Sequence, residues 1–269
     1  MQQYKDFILA VLDEASAIAT RSFGKVSGTT KPEDNNQVLT ETDVEIGNKI
    51  VAAIKAKYPE HNIIDEEAGV VDSNSAYTWV VDPIDGTSNF ANGIPAYGIM
   101  VGLLKDATPI AGGVALPSFG QIYVAVKEGG AFCNGSPIHV TTESKLLNTL
   151  VAYGIDGHQE SPQITADETA LLSKIILEIR NLRSTNSAYD FMLVADGRYG
   201  GYLNRTSKIW DNVAPQIIIE ESGGIFTDFF GKPVDYTNPL SKVGENYTMC
   251  AAPPELHRQL QQIINTRRS

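Results

Sequence analysis

Trp79-Val80-Val81-Asp82-Pro83-Ile84-Asp85-Gly86-Thr87-Ser88-Asn89-Phe90 joins an apolar run to two carboxylates, a glycine and a hydroxyl-rich cluster, in that order. The order predicts a strand that delivers Asp82 and Asp85 to a loop, followed by a short helix starting at Thr87. Carboxylate oxygens are hard ligands suited to Mg²⁺, Mn²⁺ or Ca²⁺, and a glycine before hydroxyl residues at a helix start offers backbone N–H groups to a phosphate. Asp-Gly is also a common turn, so the stretch by itself admits an ordinary strand-to-loop corner.

The surrounding composition narrows the choice. The chain has 269 residues, 42% hydrophobic and 20% charged, enough to bury a sizeable core as one large domain or two closely packed halves. A formal charge of -11 and a pI near 4.8 exclude a general nucleic-acid binder, because no basic stripe can neutralise a phosphate backbone. Met1-Gln2-Gln3-Tyr4-Lys5-Asp6 does not resemble a secretory leader, and no apolar run approaches membrane-spanning length, so a cytoplasmic protein with no membrane partner is expected. Cys133 and Cys250 are too few and too far apart for a disulfide framework or a zinc finger. His61, His139, His158 and His257 show no metal-binding spacing.

Working outward, Tyr4, Phe7, Ile8, Val11, Leu12, Ala15, Ile18 and Ala19 recur at helical spacing and predict an opening helix to about Gly24. Residues 25–38 are polar and read as a mobile loop, with Lys31 a possible neighbour of substrate or metal. A second helix is expected from Thr42, capped by Thr42 and Glu45, with Asp43 in its first turn. Asn62-Ile63-Ile64 is a short strand running into Asp65-Glu66-Glu67. Strands at 77–82, 97–105, 109–116, 121–127 and 131–133 then suggest an antiparallel meander with helices packed on it. Beyond residues 141–148 the pattern alternates: strand 149–153, helix 167–181, helix 187–195, strand 200–204, helix 210–221, strands 224–227 and 247–251, and a last helix after Pro253-Pro254. The fold class is therefore α+β, with an antiparallel sheet and helices in residues 1–145 and a mixed α/β half in residues 146–269. No internal repeat or low-complexity linker separates them.

Acidic clusters stand at the ends of three predicted elements: Asp65-Glu66-Glu67, Asp82 with Asp85, and Asp211 after Trp210. If the fold converges them, four carboxylates call for two or three divalent cations. The combination of Glu66-Glu67, Asp82-Pro83-Ile84-Asp85-Gly86-Thr87, Trp210-Asp211 and Glu221-Ser222-Gly223-Gly224 resembles the inositol monophosphatase family, within the lithium-sensitive, Mg²⁺-dependent phosphatase superfamily. The likeness runs from the opening helix to Ala251-Ala252-Pro253. It implies a layered αβαβα sandwich and a phosphomonoesterase that often dimerises. It also implies that Glu66, Asp82 and the carbonyl of Ile84 hold one Mg²⁺, that Asp82, Asp85 and Asp211 hold a second, and that Glu66 helps with a weaker third. Gly86 and Thr87 would bind phosphate through backbone N–H groups, while Thr87, oriented by Asp43, would help Glu66 activate the attacking water.

The substrate side departs from the pattern. Asp65 replaces a frequent Gly, Ser88 replaces a frequent Thr, and Asn204 stands where inositol-specific members carry a Glu that contacts substrate hydroxyls. Arg183-Ser184-Thr185-Asn186-Ser187-Ala188 resembles the family's substrate-contacting segment, with Asn186 in place of a usual Gly, so Ser187, Ala188 and Asn204 are candidate substrate contacts. A small polyol phosphate is expected, inositol 1-phosphate first, with histidinol phosphate or fructose 1,6-bisphosphate as alternatives within the family. A non-catalytic metal- or phosphate-binding protein is the alternative of a different class, and it predicts loss of a metal acid or of Thr87.

Overall fold

The computed structural model describes residues 1–31 and 34–265, with side chains left undescribed at 31 and 34–37. The first helix, α1 (Gln2–Ser22), buries all eight residues of the apolar spacing noted above. A hairpin follows, β1 (Thr29–Lys31) with β2 (Asp34–Leu39), pairing Thr29 with Leu39 and Thr30 with Val38. The expected loop over 25–38 is thus partly replaced by strands, because ladder hydrogen bonds satisfy the backbone whatever the polarity of the side chains. The side chain of Lys31 lies outside the described residues. Helix α2 (Glu41–Lys57) starts earlier than expected. Thr40, not Thr42, is its N-cap: its hydroxyl accepts from the Thr42 N–H at 3.2 Å, and Asp43 rather than Glu45 returns a carboxylate to the Thr40 N–H at 2.9 Å.

The chain then lays down β3 (Asn62–Asp65), β4 (Gly69–Val71), β5 (Tyr77–Asp85), the short α3 (Thr87–Ala91), β6 (Gly98–Lys105), β7 (Thr108–Leu116), β8 (Gln121–Val126), β9 (Ala131–Cys133) and β10 (Ser136–Pro137). These strands form one sheet in the order β10-β9-β8-β7-β6-β5-β3-β4. It is antiparallel except at β3 and β5, which run parallel because the excursion through β4 brings the chain back to the same end of the sheet. This parallel pair departs from a simple meander.

The remainder comprises β11 (Leu150–Gly154), α4 (Pro162–Glu178), β12 (Asn181–Arg183), α5 (Ala188–Ala195), β13 (Gly201–Ser207), α6 (Ile209–Glu221), β14 (Ile225–Thr227), β15 (Tyr247–Ala252) and α7 (Pro254–Asn265). The helix expected over 167–181 runs instead from Pro162, a residue preorganised for a first turn, to Glu178, and residue 181 opens an edge strand, 181–183, parallel to β11. The second sheet has the order β12-β11-β13-β15-β14.

Side-chain alternation decides how the layers stack. One face of the large sheet packs Trp79, Val81, Val101 and Leu103 against α1 and α2. Its other face presents Met100, Val114 and Tyr123 to Ala188 and Met192 of α5 and to Ala214 and Ile217 of α6. The same middle layer covers Ala152, Tyr202 and Ala251 of the second sheet. Val151, Tyr153 and Leu203 point the opposite way, toward Ile175 of α4 and Leu256 and Leu260 of α7. The result is five layers, αβαβα. Close approach of α6 to the large sheet depends on Gly112, where a Cβ would lie 2.8 Å from the Cα of Ala214 and 2.6 Å from Ile217.

Candidate active site

Asp82 and Asp85 are three residues apart, and in a regular strand they would face opposite sides of the sheet. A bulge prevents this: Asp82 pairs with Met100 and Asp85 with Gly98, so three steps on β5 match two on β6. The extra residue turns both carboxylates to one side. Pro83, which has no N–H to lose, sits within the bulge. Asp211 arrives from the first turn of α6, where its Oδ2 accepts from the Lys208 N–H at 2.6 Å. One carboxylate oxygen from each of Asp82, Asp85 and Asp211 lies within 4.8 Å of the others.

Glu66 follows the last residue of β3, and its N–H donates to the Val81 carbonyl at 3.2 Å, which sets it beside Asp82. Burial, then the charges of Glu66, Asp85 and Asp211, push the Asp82 carboxyl well above the ordinary carboxylate range. Burial, then Asp211, do the same to Asp85. Asp82 is 1% exposed, and its Oδ1 has no protein partner. Clustered hard oxygens that repel one another, one of them unpartnered, fit divalent cations.

Gly86 caps α3 in the left-handed region, φ 81°, with Ser187 packed so close that a Cβ would fall 2.8 Å from it. The Thr87 hydroxyl stands 2.8 Å from the Ile84 carbonyl and 3.1 Å from Oδ1 of Asp43, so either can accept its single proton. Asp43 is 2% exposed, and burial raises its pKa. The Ile84 side chain lies in the core, leaving its carbonyl at the bulge. Across the cleft the Ala188 N–H donates to Asp85, and Ser187 adjoins Gly86 at the start of α5.

These groups line one cavity of ≈ 560 Å³, together with Asn204, Lys208, Trp210 and residues 156–161. Glu66, Asp82, Ile84, Asp85, Gly86, Thr87, Ser187, Asn204 and Asp211 are all at its wall; Asp43 reaches it through Thr87, and Ala188 through Asp85. Lys208 is the only lysine or arginine among the described lining residues, so a phosphate entering here relies on bound cations. Arg205, Asn204's neighbour, points to the other face of β13, over the Phe229 ring at 5.4 Å.

Two acids escaped the sequence reading. Asp190 is fully buried, and its Oδ2 accepts from the Thr185 and Asn186 N–H groups at 3.2 and 3.0 Å, holding the loop that presents Ser187. Burial raises its pKa to about 6. Asp156 lies just beyond β11 and lines the cavity. No local motif marked either one; an acid near a strand end was the sole hint for Asp156.

A layered αβαβα fold with this carboxylate cluster against a helix-opening Gly-Thr defines a phosphatase of the metal-dependent kind, one that hydrolyses phosphoric monoesters. Residues 1–267 match the inositol monophosphatase family model, and the chain belongs to that family. An inositol monophosphatase of Mesembryanthemum crystallinum is 34% identical over 218 residues, covering 76% of this chain and 80% of its own. A fructose-1,6-bisphosphatase/inositol-1-monophosphatase of Aquifex aeolicus is 32% identical over 218 residues, covering 80% and 81%. The solved structure of a Thermotoga maritima IMPase superposes with a TM-score of 0.85 at 25% identity, covering 98% of this chain and 97% of the other. Glu66, Asp82, Asp85, Asp211 and Thr87, whose loss the non-catalytic alternative predicts, are all present.

Proposed function

We propose that the chain is a Mg²⁺-dependent phosphatase that hydrolyses a small polyol phosphate, inositol 1-phosphate first, with fructose 1,6-bisphosphate and histidinol phosphate as alternatives at the same site. The observation that carries this reading is the convergence of Asp82, Asp85 and Asp211 beside Thr87. Glu66, Asp82 and the Ile84 carbonyl would hold one Mg²⁺, Asp82, Asp85 and Asp211 a second, and Glu66 would contribute to a third. The ions supply Lewis-acid polarisation of the ester and neutralise the leaving oxygen.

The remaining work falls to the chain's own groups. Backbone N–H groups of Gly86 and Thr87 hold phosphate oxygens at the start of α3, whose first-turn donors lack intrahelical acceptors. The Thr87 hydroxyl donates its one hydrogen bond to Asp43 or to the Ile84 carbonyl, which leaves its lone pairs to position the attacking water. Glu66 accepts that water's proton. Ser187, Ala188 and Asn204 belong to the side of the site that receives the alcohol. In this division residues 1–145 carry most of the metal ligands and residues 146–269 bring Asp211 and the substrate contacts.

Turnover of inositol 1-phosphate, fructose 1,6-bisphosphate, histidinol phosphate and 3′-phosphoadenosine 5′-phosphate with Mg²⁺, and again in excess chelator, tests the proposal. Preference for 3′-phosphoadenosine 5′-phosphate, or chelator-resistant hydrolysis, would sink it. A homodimer in the cytoplasm belongs to the same reading. It is supported by the family resemblance and tested by light scattering and cell fractionation.

A further inference from the structure

Asn204 lines the cavity, yet it is only 7% exposed and its hydrogen bonds go to protein. Its Nδ2 donates to Oδ1 of Asn186 at 3.1 Å and to the Tyr202 hydroxyl at 3.3 Å, while its Oδ1 accepts from the Thr206 N–H at 2.6 Å. A carboxamide has two N–H donors, and here both are spent. Asn186 occupies the left-handed region, φ 52°, which asparagine tolerates better than most side chains. Its own Nδ2 donates onward to Asp156, at 3.1 Å to Oδ1 and 3.3 Å to Oδ2. The Thr206 hydroxyl reaches Oδ2 of Asp156 at 3.0 Å.

Gly154 makes the arrangement possible. A Cβ there would fall 2.5 Å from Oδ1 of Asn186 and 2.6 Å from Nδ2 of Asn204, so the two asparagines meet over a residue with no side chain. The network ends on a partly exposed carboxylate at the cavity wall, held by neutral donors and paired with no lysine or arginine among the described residues. An ionised carboxylate accepts at about four lone-pair sites, so Asp156 keeps capacity for donors on a ligand.

We propose that Asp156 is the specificity-determining residue of this enzyme: its carboxylate accepts hydrogen bonds from the hydroxyl groups of the substrate's alcohol, and Gly154, Asn186 and Asn204 position it. The assignment rests on the polyol-phosphate reading above. It moves the acid that reads hydroxyls from the position of Asn204 on β13 to the end of β11. The two asparagines then serve as its support.

The test compares inositol 1-phosphate with 4-nitrophenyl phosphate, whose alcohol offers no hydroxyl donor once esterified. Asp156→Asn and Asp156→Ala should lower kcat/KM for inositol 1-phosphate by about 10- to 100-fold, mainly through KM, while 4-nitrophenyl phosphate changes by no more than about twofold. Gly154→Ala should produce the same selective loss through displacement of the asparagines. Equal loss on both esters, loss confined to 4-nitrophenyl phosphate, or no loss on either overturns the assignment of Asp156 alone. A wild-type enzyme that cleaves 4-nitrophenyl phosphate but no polyol ester overturns the substrate reading, and this assignment with it.

Discussion

Glu66 stands beside Asp82 across the one parallel strand pair of the large sheet, its N–H bonded to the carbonyl that precedes Asp82 at 3.2 Å. Parallel pairing in register, Ile64 with Val80 and Asp65 with Val81, brings the carboxyl-terminal ends of β3 and β5 to the same edge. An antiparallel pair would have carried one acid to the opposite end of the sheet. The candidate metal and catalytic roles of Glu66 therefore depend on this pairing.

Asp85→Asn preserves volume while deleting a charge from the cluster. The fold should survive, and activity should fall by about 100-fold or more, corresponding to ~3 kcal/mol of electrostatic stabilisation. Steady-state kinetics at saturating Mg²⁺, with a thermal melt as control, would check it; an active variant would remove Asp85 from the ligand set.

Thr87→Ala leaves the backbone N–H of residue 87 in place and removes the hydroxyl now shared between Asp43 and Ile84. Turnover should therefore drop more than substrate affinity, since the phosphate contact remains. A rise in KM at unchanged kcat would assign Thr87 to binding alone.

Mg²⁺ and protons should compete for the cluster. Burial raises the Asp82 and Asp85 pKa values above those of the unfolded chain, so the folded metal-free protein binds the extra protons. Its stability from these groups is present below the unfolded carboxylate pKa of about 3.9 and is lost as pH rises through the folded values. Added Mg²⁺ should offset that loss, giving a thermal shift that grows as pH rises above the ordinary carboxylate range and shrinks in Asp85→Asn. A shift independent of pH would contradict protonation of the metal-free cluster.

Asn204→Glu places a second carboxylate near Asp156 and removes the two N–H donors that Asn204 gives to Asn186 and Tyr202. The ranking among phosphate esters should change, by about ten- to hundredfold for the most affected, while the Mg²⁺ requirement stays. An unchanged ranking would show that substrate recognition does not pass through this network.

Gly112→Ala should destabilise the protein by about 1–3 kcal/mol, because the added methyl collides with the Ala214 backbone of α6 as well as with the Ile217 side chain, and the backbone cannot simply swing aside. Since α6 carries Asp211, activity should also fall at temperatures where the variant remains folded. Urea denaturation alongside Mg²⁺ titration separates the two effects.

The elements whose patterns are local were legible in the sequence. Helix α1 follows its apolar repeat residue by residue, and the strand-to-helix corner at Asp82 to Thr87 is readable because a helix start, a glycine and the end of an apolar run each leave a signature within a few positions. The acids Glu66, Asp82, Asp85 and Asp211 could be singled out for the same reason, and the family resemblance joined them. What joins them physically is non-local. The parallel pairing of β3 with β5 depends on where β4 turns back, and the facing of Asp82 and Asp85 depends on a bulge set by the partner strand β6. The contact of Asn186 with Asn204 depends on a gap at Gly154, 32 residues before the first and 50 before the second. Asp156 had no motif to mark it, because its surroundings are assembled from three segments that meet only when β11 and β13 pair. Sequence spacing encodes which face of one element a side chain takes; which side chains then share a cavity is decided by packing between elements, where a single missing Cβ or one extra residue redirects a whole group of hydrogen bonds.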